Sequence, residues 1–146
     1  MKNLKKVLAV VMAVALIVTC FAACGGNGKP DTDSTLKIGV TGPLTGDNAQ
    51  YGLAVKYGAE LAAAEINAAG GINGMQIEIL VEDDVATPEG AQNGYNTLID
   101  DGMKLSLGGV TSNACAAFLG EAKKDNMFML TASATAVEAI DGDNAF

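Results

Sequence analysis

The chain has 146 residues, of which 17 are acidic and nine are basic, and all nine basic residues are lysines. This acidic, arginine-free composition disfavours nucleic-acid binding, because cationic contacts with phosphate dominate the affinity of nucleic-acid-binding proteins. The sequence contains no histidine and three cysteines, which excludes the usual zinc sites and His-based catalytic triads. We therefore expect neither a metal nor a cofactor.

The N-terminus has the layout of an export signal. Three lysines at positions 2, 5 and 6 precede an apolar run from Val7 to Val18, and small residues then lead to Cys24. The pattern is typical of a secretory signal, and the run is short for a membrane span. The sequence FAAC at positions 21–24 looks like a lipobox. Residues 1–23 are therefore predicted to be a lipoprotein signal peptide, with the lipid on Cys24.

Two alternatives to this anchor stay open. The signal could be a plain secretory signal with an incidental cysteine, or Cys20 could carry the lipid, although Thr19 is a poorer residue before a cleavage site. A lipid on Cys24 would hold the exported chain at the outer face of the cell membrane. Residues 24–35 are polar and include Gly, Pro, Asp and Ser, so this segment is predicted to be a flexible tether.

The first elements after the tether follow a strand–helix–strand pattern. Residues 36–41 form an apolar strand, and a small-residue helix is predicted from about residue 49 to 69. A stripe of small and apolar side chains four residues apart is expected to face the sheet, namely Ala54, Gly58, Ala62 and Ile66. Gly70-Gly71 ends this helix, Asn73-Gly74 forms a turn, and the second strand runs over residues 75–82.

The same alternation continues to the end of the sequence. Thr87-Pro88 begins a helix that ends near residue 100, and a third strand follows at 104–110. A third helix is predicted over 113–125, with Cys115 as a small buried residue. The segment 127–131 reads as a fourth strand, and another helix begins near Thr135. This alternation predicts an α/β fold with a doubly wound, mostly parallel sheet.

Polar residues follow the third and fourth strands, where open α/β sheets bind their ligands. Ser112 and Thr135 lie at predicted helix N-termini, which offer free backbone N–H groups and positive potential. These residues could form a carboxylate cradle without any arginine. The alternative is that both side chains are helix N-caps, a common role for Ser and Thr.

Three stretches of the sequence resemble a known family. They are IGVTGPLTG at 38–46, GAELAAAEINAAGGINGM at 58–75 and VEDD at 81–84. All three are similar to the start of the branched-chain (leucine-type) amino-acid binding proteins of ABC importers, which have the type-1 periplasmic-binding fold. The resemblance implies that residues 36–146 form an N-terminal lobe and that the second lobe is missing, so the chain would be a fragment.

The resemblance also implies roles for individual residues. In that family the matching positions hold an amino acid, so Ser112 and Thr135 would donate to its carboxylate and the Ser133 carbonyl would accept from its ammonium group. Tyr51 matches a tyrosine near the ligand's side chain. Ala132 stands where many members have proline, and Asn113 stands where many have serine or glycine. The first departure implies a less rigid loop, and the second leaves open whether the ligand is leucine or another amino acid.

The resemblance implies an exported solute receptor that delivers an amino acid to an ABC permease and is not an enzyme. A ligand-sensing domain for amides or related small molecules is the alternative. Ser112 lacks a histidine base, which disfavours a hydrolase. Asp83-Asp84 could in principle bind Mg²⁺, but we interpret this pair as a solvated turn or helix entry.

Overall fold

The computed structural model describes residues 35–146. The predicted signal peptide, the lipidation at Cys24 and the tether up to residue 34 lie outside the described residues. Within them, no helix has both the length and the apolar character that crossing a membrane requires. The described residues form three strands, three α-helices and one 3₁₀ turn: β1 (Thr35–Gly42), α1 (Ala49–Ala68), β2 (Gln76–Asp83), α2 (Pro88–Asp100), β3 (Leu105–Ser106), α3 (Ser112–Lys124) and the turn Val137–Ala139.

The strands form a parallel sheet in the order β2-β1-β3. β1 pairs with β2 along its whole length, from Thr35 opposite Gln76 to Gly42 opposite Asp83. Beyond β3, a parallel bridge joins Ser106 to Met129. A further parallel bridge links Met129 to the segment that ends the chain. Successive segments thus lie on both sides of β1, and the predicted doubly wound, mostly parallel α/β sheet is confirmed.

The third and fourth strands are shorter than predicted. Of the segment 104–110, two residues form β3, because Gly108 adopts a positive φ of 65° that interrupts the extended backbone. Pairing with β1 nevertheless continues, since the Thr41 N–H donates to the Gly108 carbonyl at 3.1 Å. The predicted strand at 127–131 is reduced to the bridge at Met129.

The helix predicted near Thr135 is wrong. The segment forms one 3₁₀ turn instead, with the Ala139 N–H donating to the Ala136 carbonyl at 3.0 Å. The chain must then return to the sheet, where the Phe146 N–H donates to the Met129 carbonyl at 3.0 Å. This return limits the segment to a single helical turn.

α2 and α3 pack together on one face of the sheet and bury most of the core. The rings of Tyr95 and Phe118 meet edge to face, with centroids 4.9 Å apart. Cys115 is fully buried and has a free thiol, which confirms its prediction as a core residue. Gly39 of β1 faces this core, because a Cβ there would lie 2.2 Å from the Met103 sulfur.

α1 covers part of the opposite face, and the stripe predicted for it is only partly right. The buried residues of this helix are Gly52 and Ala63, and all four members of the predicted stripe are exposed. Ala62 and Ile66 nevertheless line a cavity between the helix and the sheet, whereas Ala54 and Gly58 do not. Alanines surround the helix, so their spacing does not identify one apolar face. Between the C-terminal half of α1 and the sheet lies an apolar cavity of about 160 Å³, lined by side chains such as Ile38, Ala59 and Leu107.

Candidate functional site

The carboxyl ends of β1 and β3 lie side by side at the point where the strand order reverses. The chain leaves β1 for α1 on one face and reaches β3 through α2 on the other face. Such a switch point opens a crevice between the loops that diverge from it. The loops after β1, β3 and the Met129 bridge therefore define the candidate site.

Ser112 and Thr135 are brought together in this crevice. Ser112 is the first residue of α3, and its Oγ accepts a hydrogen bond from the Thr135 N–H at 3.3 Å. The N-cap of α3 is Thr111, and the N-cap of the 3₁₀ turn is Ala136. The alternative in which Ser112 and Thr135 are simple N-caps is therefore wrong, and the hydroxyl of Ser112 instead contacts the neighbouring loop.

Thr131 shapes the loop that carries Ser133. Its hydroxyl donates to the Gly109 carbonyl at 3.2 Å and accepts from the Ala134 N–H at 3.1 Å. These bonds tie the loop to the chain after β3 and leave Ser133 exposed. Thr131 was not singled out from the sequence. A threonine at a strand end can form such a local turn, and this is the signal that could have identified it.

Tyr51 lies at the start of α1, beside the loop after β1. It is in the first turn of α1, and 53% of its surface is exposed. Among residues 35–146, no hydrogen bond joins Tyr51 to Ser112, Ser133 or Thr135. The link is through backbone packing instead, because a Cβ on Gly42 would lie 3.3 Å from the Gly52 Cα and 2.7 Å from a methyl of Val110.

Asp83-Asp84 was interpreted as a solvated turn or a helix entry, and the structure supports the helix entry, because the Asp84 carbonyl accepts from the N–H of Thr87, the N-cap of α2, at 2.8 Å. The pair is not solvated. Asp84 is fully buried, and the Asp83 carboxylate accepts from the Leu44 N–H at 2.9 Å and from the Thr45 hydroxyl at 2.7 Å. The residues that follow are strained, since Val85 and Ala86 both have positive φ, at 45° and 60°. The sequence does not distinguish a solvated acidic pair from a buried one, because adjacent acids in a turn give the same pattern in both cases.

Burial raises the pKa of Asp84, and the negative charge of Asp83 adds to the effect. The Ala86 N–H, which donates to Asp84 Oδ1 at 2.8 Å, and the nearby Thr41 hydroxyl oppose this rise. Asp84 Oδ2 and Thr41 Oγ1 are both buried without a hydrogen-bond partner of good geometry. Two imperfectly satisfied polar atoms thus lie behind the crevice, on the side of α2.

The crevice presents hydrogen-bond donors and no strong base. At the start of α3 the first N–H groups have no intrahelical acceptor, and the helix dipole is positive there. Together with the Thr135 N–H and the Ser112 hydroxyl, they suit a small carboxylate. Among residues 35–146 no cluster of three potential metal-binding side chains occurs.

Comparison with known proteins identifies relatives. The family profile for periplasmic binding proteins matches residues 35–146. The leucine-, isoleucine-, valine-, threonine- and alanine-binding protein of Pseudomonas aeruginosa is 39% identical over 104 residues, which are 71% of this chain and 28% of the relative. The Leu/Ile/Val-binding protein of Escherichia coli K12 is 35% identical over 124 residues, which are 85% of this chain and 33% of the relative.

Solved structures show the same similarity. The branched-chain amino-acid transporter substrate-binding protein LivJ of Streptococcus pneumoniae, in complex with isoleucine, superposes with a TM-score of 0.72 at 37% identity. That match covers 77% of this chain and 33% of the other. The chain thus spans about a third of the length of the relatives it matches. Because the family profile spans most of its residues, the chain belongs to the periplasmic binding protein family.

Proposed function

We propose that the chain is the N-terminal lobe of an extracytoplasmic solute-binding protein that supplies a branched-chain type of amino acid to an ABC importer. The observation that carries the proposal is the contact of the Ser112 hydroxyl with the Thr135 N–H at the switch point. Relatives named as leucine, isoleucine and valine binders support the substrate class. The family is one of binding proteins, so no bond is made or broken in the site.

The ligand's carboxylate would lie between the start of α3 and the loop before the 3₁₀ turn. Its oxygens would accept from the Ser112 hydroxyl, and they would replace Ser112 Oγ as the acceptor of the Thr135 N–H. The exposed Ser133 would offer its carbonyl to the ligand's ammonium group, and Tyr51 would border the side chain. A charge-assisted hydrogen bond of this kind contributes about 1.5–3 kcal/mol.

One lobe would supply part of the contacts, because solute sites enclose most of their ligand. We therefore expect this chain to bind its ligand weakly, in the millimolar range, which corresponds to about 4 kcal/mol. The remaining contacts and the closure of two lobes around the solute would come from a second lobe. The closed form would be the one that the ABC permease recognises.

Titration of the ¹⁵N-labelled chain with L-leucine, followed by NMR, tests the proposal. The backbone amides of Ser112 and Thr135 should shift together and saturate at millimolar ligand. 3-Methylbutylamine, which has the same side chain and ammonium group but no carboxylate, is the matched control and should leave both amides unshifted. If leucine, isoleucine and valine all fail to shift these amides, the proposed site is wrong.

The membrane anchor belongs to the same proposal. The lipobox-like sequence at 21–24 supports cleavage before Cys24 and attachment of a lipid to its sulfur. The mature protein would then stay on the outer face of the membrane. Mass spectrometry of the exported chain should show a lipid-modified N-terminal Cys24. An unmodified N-terminus at any other residue would contradict the anchor.

A further inference from the structure

Asp83 joins two loops that are distant in sequence. It is the last residue of β2, and its Oδ1 accepts from the Leu44 N–H at 2.9 Å while its Oδ2 accepts from the Thr45 hydroxyl at 2.7 Å. Both donors belong to the loop after β1. A third bond, from the Val85 N–H to Oδ1 at 2.9 Å, fixes the carboxylate relative to its own loop. One side chain thus ties the β1 and β2 loops together.

The charge of Asp83 suits this role. Partial burial raises its pKa, but the hydrogen bonds from Thr45, Leu44 and Val85 outweigh that effect and hold the pKa below its ordinary value. Asp83 is therefore ionised at neutral pH. Donors from the protein already occupy both oxygens, so the carboxylate is a fixed acceptor within the protein and does not face a cation.

The loop that Asp83 holds sets the position of α1 at the crevice. Pro43 is fully buried directly before Leu44, and a Cβ on Gly52 would lie 2.0 Å from the Pro43 carbonyl oxygen. The first turn of α1 therefore rests directly on the loop backbone. This contact of Gly52 also sets the position of Tyr51, the residue before it.

The end of β1, directly before this loop, borders the other half of the crevice. A Cβ on Gly42 would lie 2.7 Å from a methyl of Val110, two residues before Ser112. The backbone from the end of β1 into this loop thus lies between the Tyr51 side and the Ser112 side. A shift of this backbone would change the distance between the Tyr51 side and the Ser112 side, even though the backbone itself does not contact a ligand.

We propose that Asp83 is a positioning residue for the ligand site, which fixes the loop at 43–46 so that Tyr51 and Ser112 keep the spacing that the ligand needs. The inference rests on the proposed function. It gives Asp83, at the end of the neighbouring strand β2, a role in ligand binding that requires no contact with the solute.

The test compares Asp83→Ala with Asp47→Ala in the ¹⁵N-labelled chain. Asp47 is exposed in the same β1–α1 connection, so its replacement removes the same charge without the loop bonds. Asp83→Ala should move the Tyr51 amide resonance in the free protein, speed amide exchange at Leu44 and weaken L-leucine binding about tenfold, because the released loop no longer holds the two sides of the site at one spacing. Asp47→Ala should change none of these. Thr45→Val, at an exposed position, should produce a smaller change in the same direction and remains informative if Asp83→Ala folds poorly.

A purely stabilising role gives a different result. In that case Asp83→Ala lowers the melting temperature, but affinity measured well below that temperature stays equal to that of the parent chain, and the Tyr51 amide does not move. That outcome overturns the inference while leaving the proposed function intact. If the parent chain itself shows no response to leucine, the proposed function fails, and the role of Asp83 in binding fails with it.

Discussion

Asp84 shows how one buried carboxyl makes stability depend on pH. Burial raises its folded-state pKa above the unfolded value of about 3.9. Its contribution to folding stability is therefore fully present below the unfolded pKa and is lost as pH rises through the folded pKa. The ionised form opposes folding, because it buries a carboxylate with one oxygen unpartnered.

Asp84→Asn should relieve this cost, since an amide is neutral at every pH and can donate to Thr41 Oγ1. Relative to the parent chain, the variant should gain stability as pH rises above about 4, until Asp84 ionises in the folded protein. Thermal melts from pH 4 to pH 7 measure the difference in stability between the variant and the parent chain. Asp47→Asn provides an exposed control with the same charge change. A stability difference that stays constant from pH 4 to pH 7, or that shrinks as pH rises, would count against the raised pKa of Asp84.

Tyr95 offers a second test at the scale of one residue. Its ring is buried against Phe118, and its hydroxyl donates to Asp125 Oδ2 at 2.8 Å. Burial and this bond raise the pKa of the phenol, so it stays a donor at any physiological pH. Tyr95→Phe keeps the ring and should cost about 1 kcal/mol in urea unfolding, the typical net value of one hydrogen bond. The exposed Tyr57→Phe should cost almost nothing, and equal losses in both variants would contradict the assigned role.

At the scale of elements, α1 depends on a close backbone approach at its first turn. Glycine in a helix usually destabilises it by about 0.5–1 kcal/mol relative to alanine. At Gly52 that trend should reverse, because a Cβ would lie 2.0 Å from the Pro43 carbonyl oxygen. Gly58 is the matched control in the same helix, since a Cβ there meets nothing within 4 Å.

The two alanine substitutions should therefore have opposite signs. Gly52→Ala should destabilise the protein by about 1–3 kcal/mol through overpacking, whereas Gly58→Ala should stabilise it by about 0.5–1 kcal/mol. Denaturant unfolding of the two variants measures both values. Stabilisation by both substitutions would show that α1 does not rest on the loop after β1 as described.

The elements show where sequence patterns suffice and where they fail. The capping residues of α2 were predicted correctly, since the Thr87 hydroxyl accepts from the Gly90 N–H and Pro88 begins the helix. Local chemistry decides such features. The buried face of α1 and the length of the last helix depend on tertiary contacts. An alanine-rich helix such as α1 has no distinct apolar stripe. The local sequence after Thr135 likewise gives no sign that the chain returns to pair with Met129.

At the scale of the whole molecule, the alternation of strands and helices predicted the sheet and therefore the edge at which a ligand would lie. Ser112 and Thr135 were predicted to share a ligand at that edge, and the structure places the Thr135 N–H 3.3 Å from Ser112 Oγ. The roles of Thr131 and Asp83 were missed, because both depend on contacts between loops that are far apart in sequence. General chemistry thus identified the candidate site, whereas the contacts between its loops became visible only in the structure.

Titration of Ser112→Ala with L-leucine, monitored by the NMR shifts of the Thr135 amide, tests the central claim most directly. Thr97→Ala is the matched control, because the Thr97 hydroxyl also bonds a backbone group, donating to the Asn93 carbonyl, but lies on an exposed part of α2. The account predicts that Ser112→Ala weakens binding about ten- to a hundredfold, the effect of one charge-assisted hydrogen bond, while Thr97→Ala binds like the parent chain. Unchanged leucine affinity in folded Ser112→Ala would contradict the carboxylate cradle at the switch point.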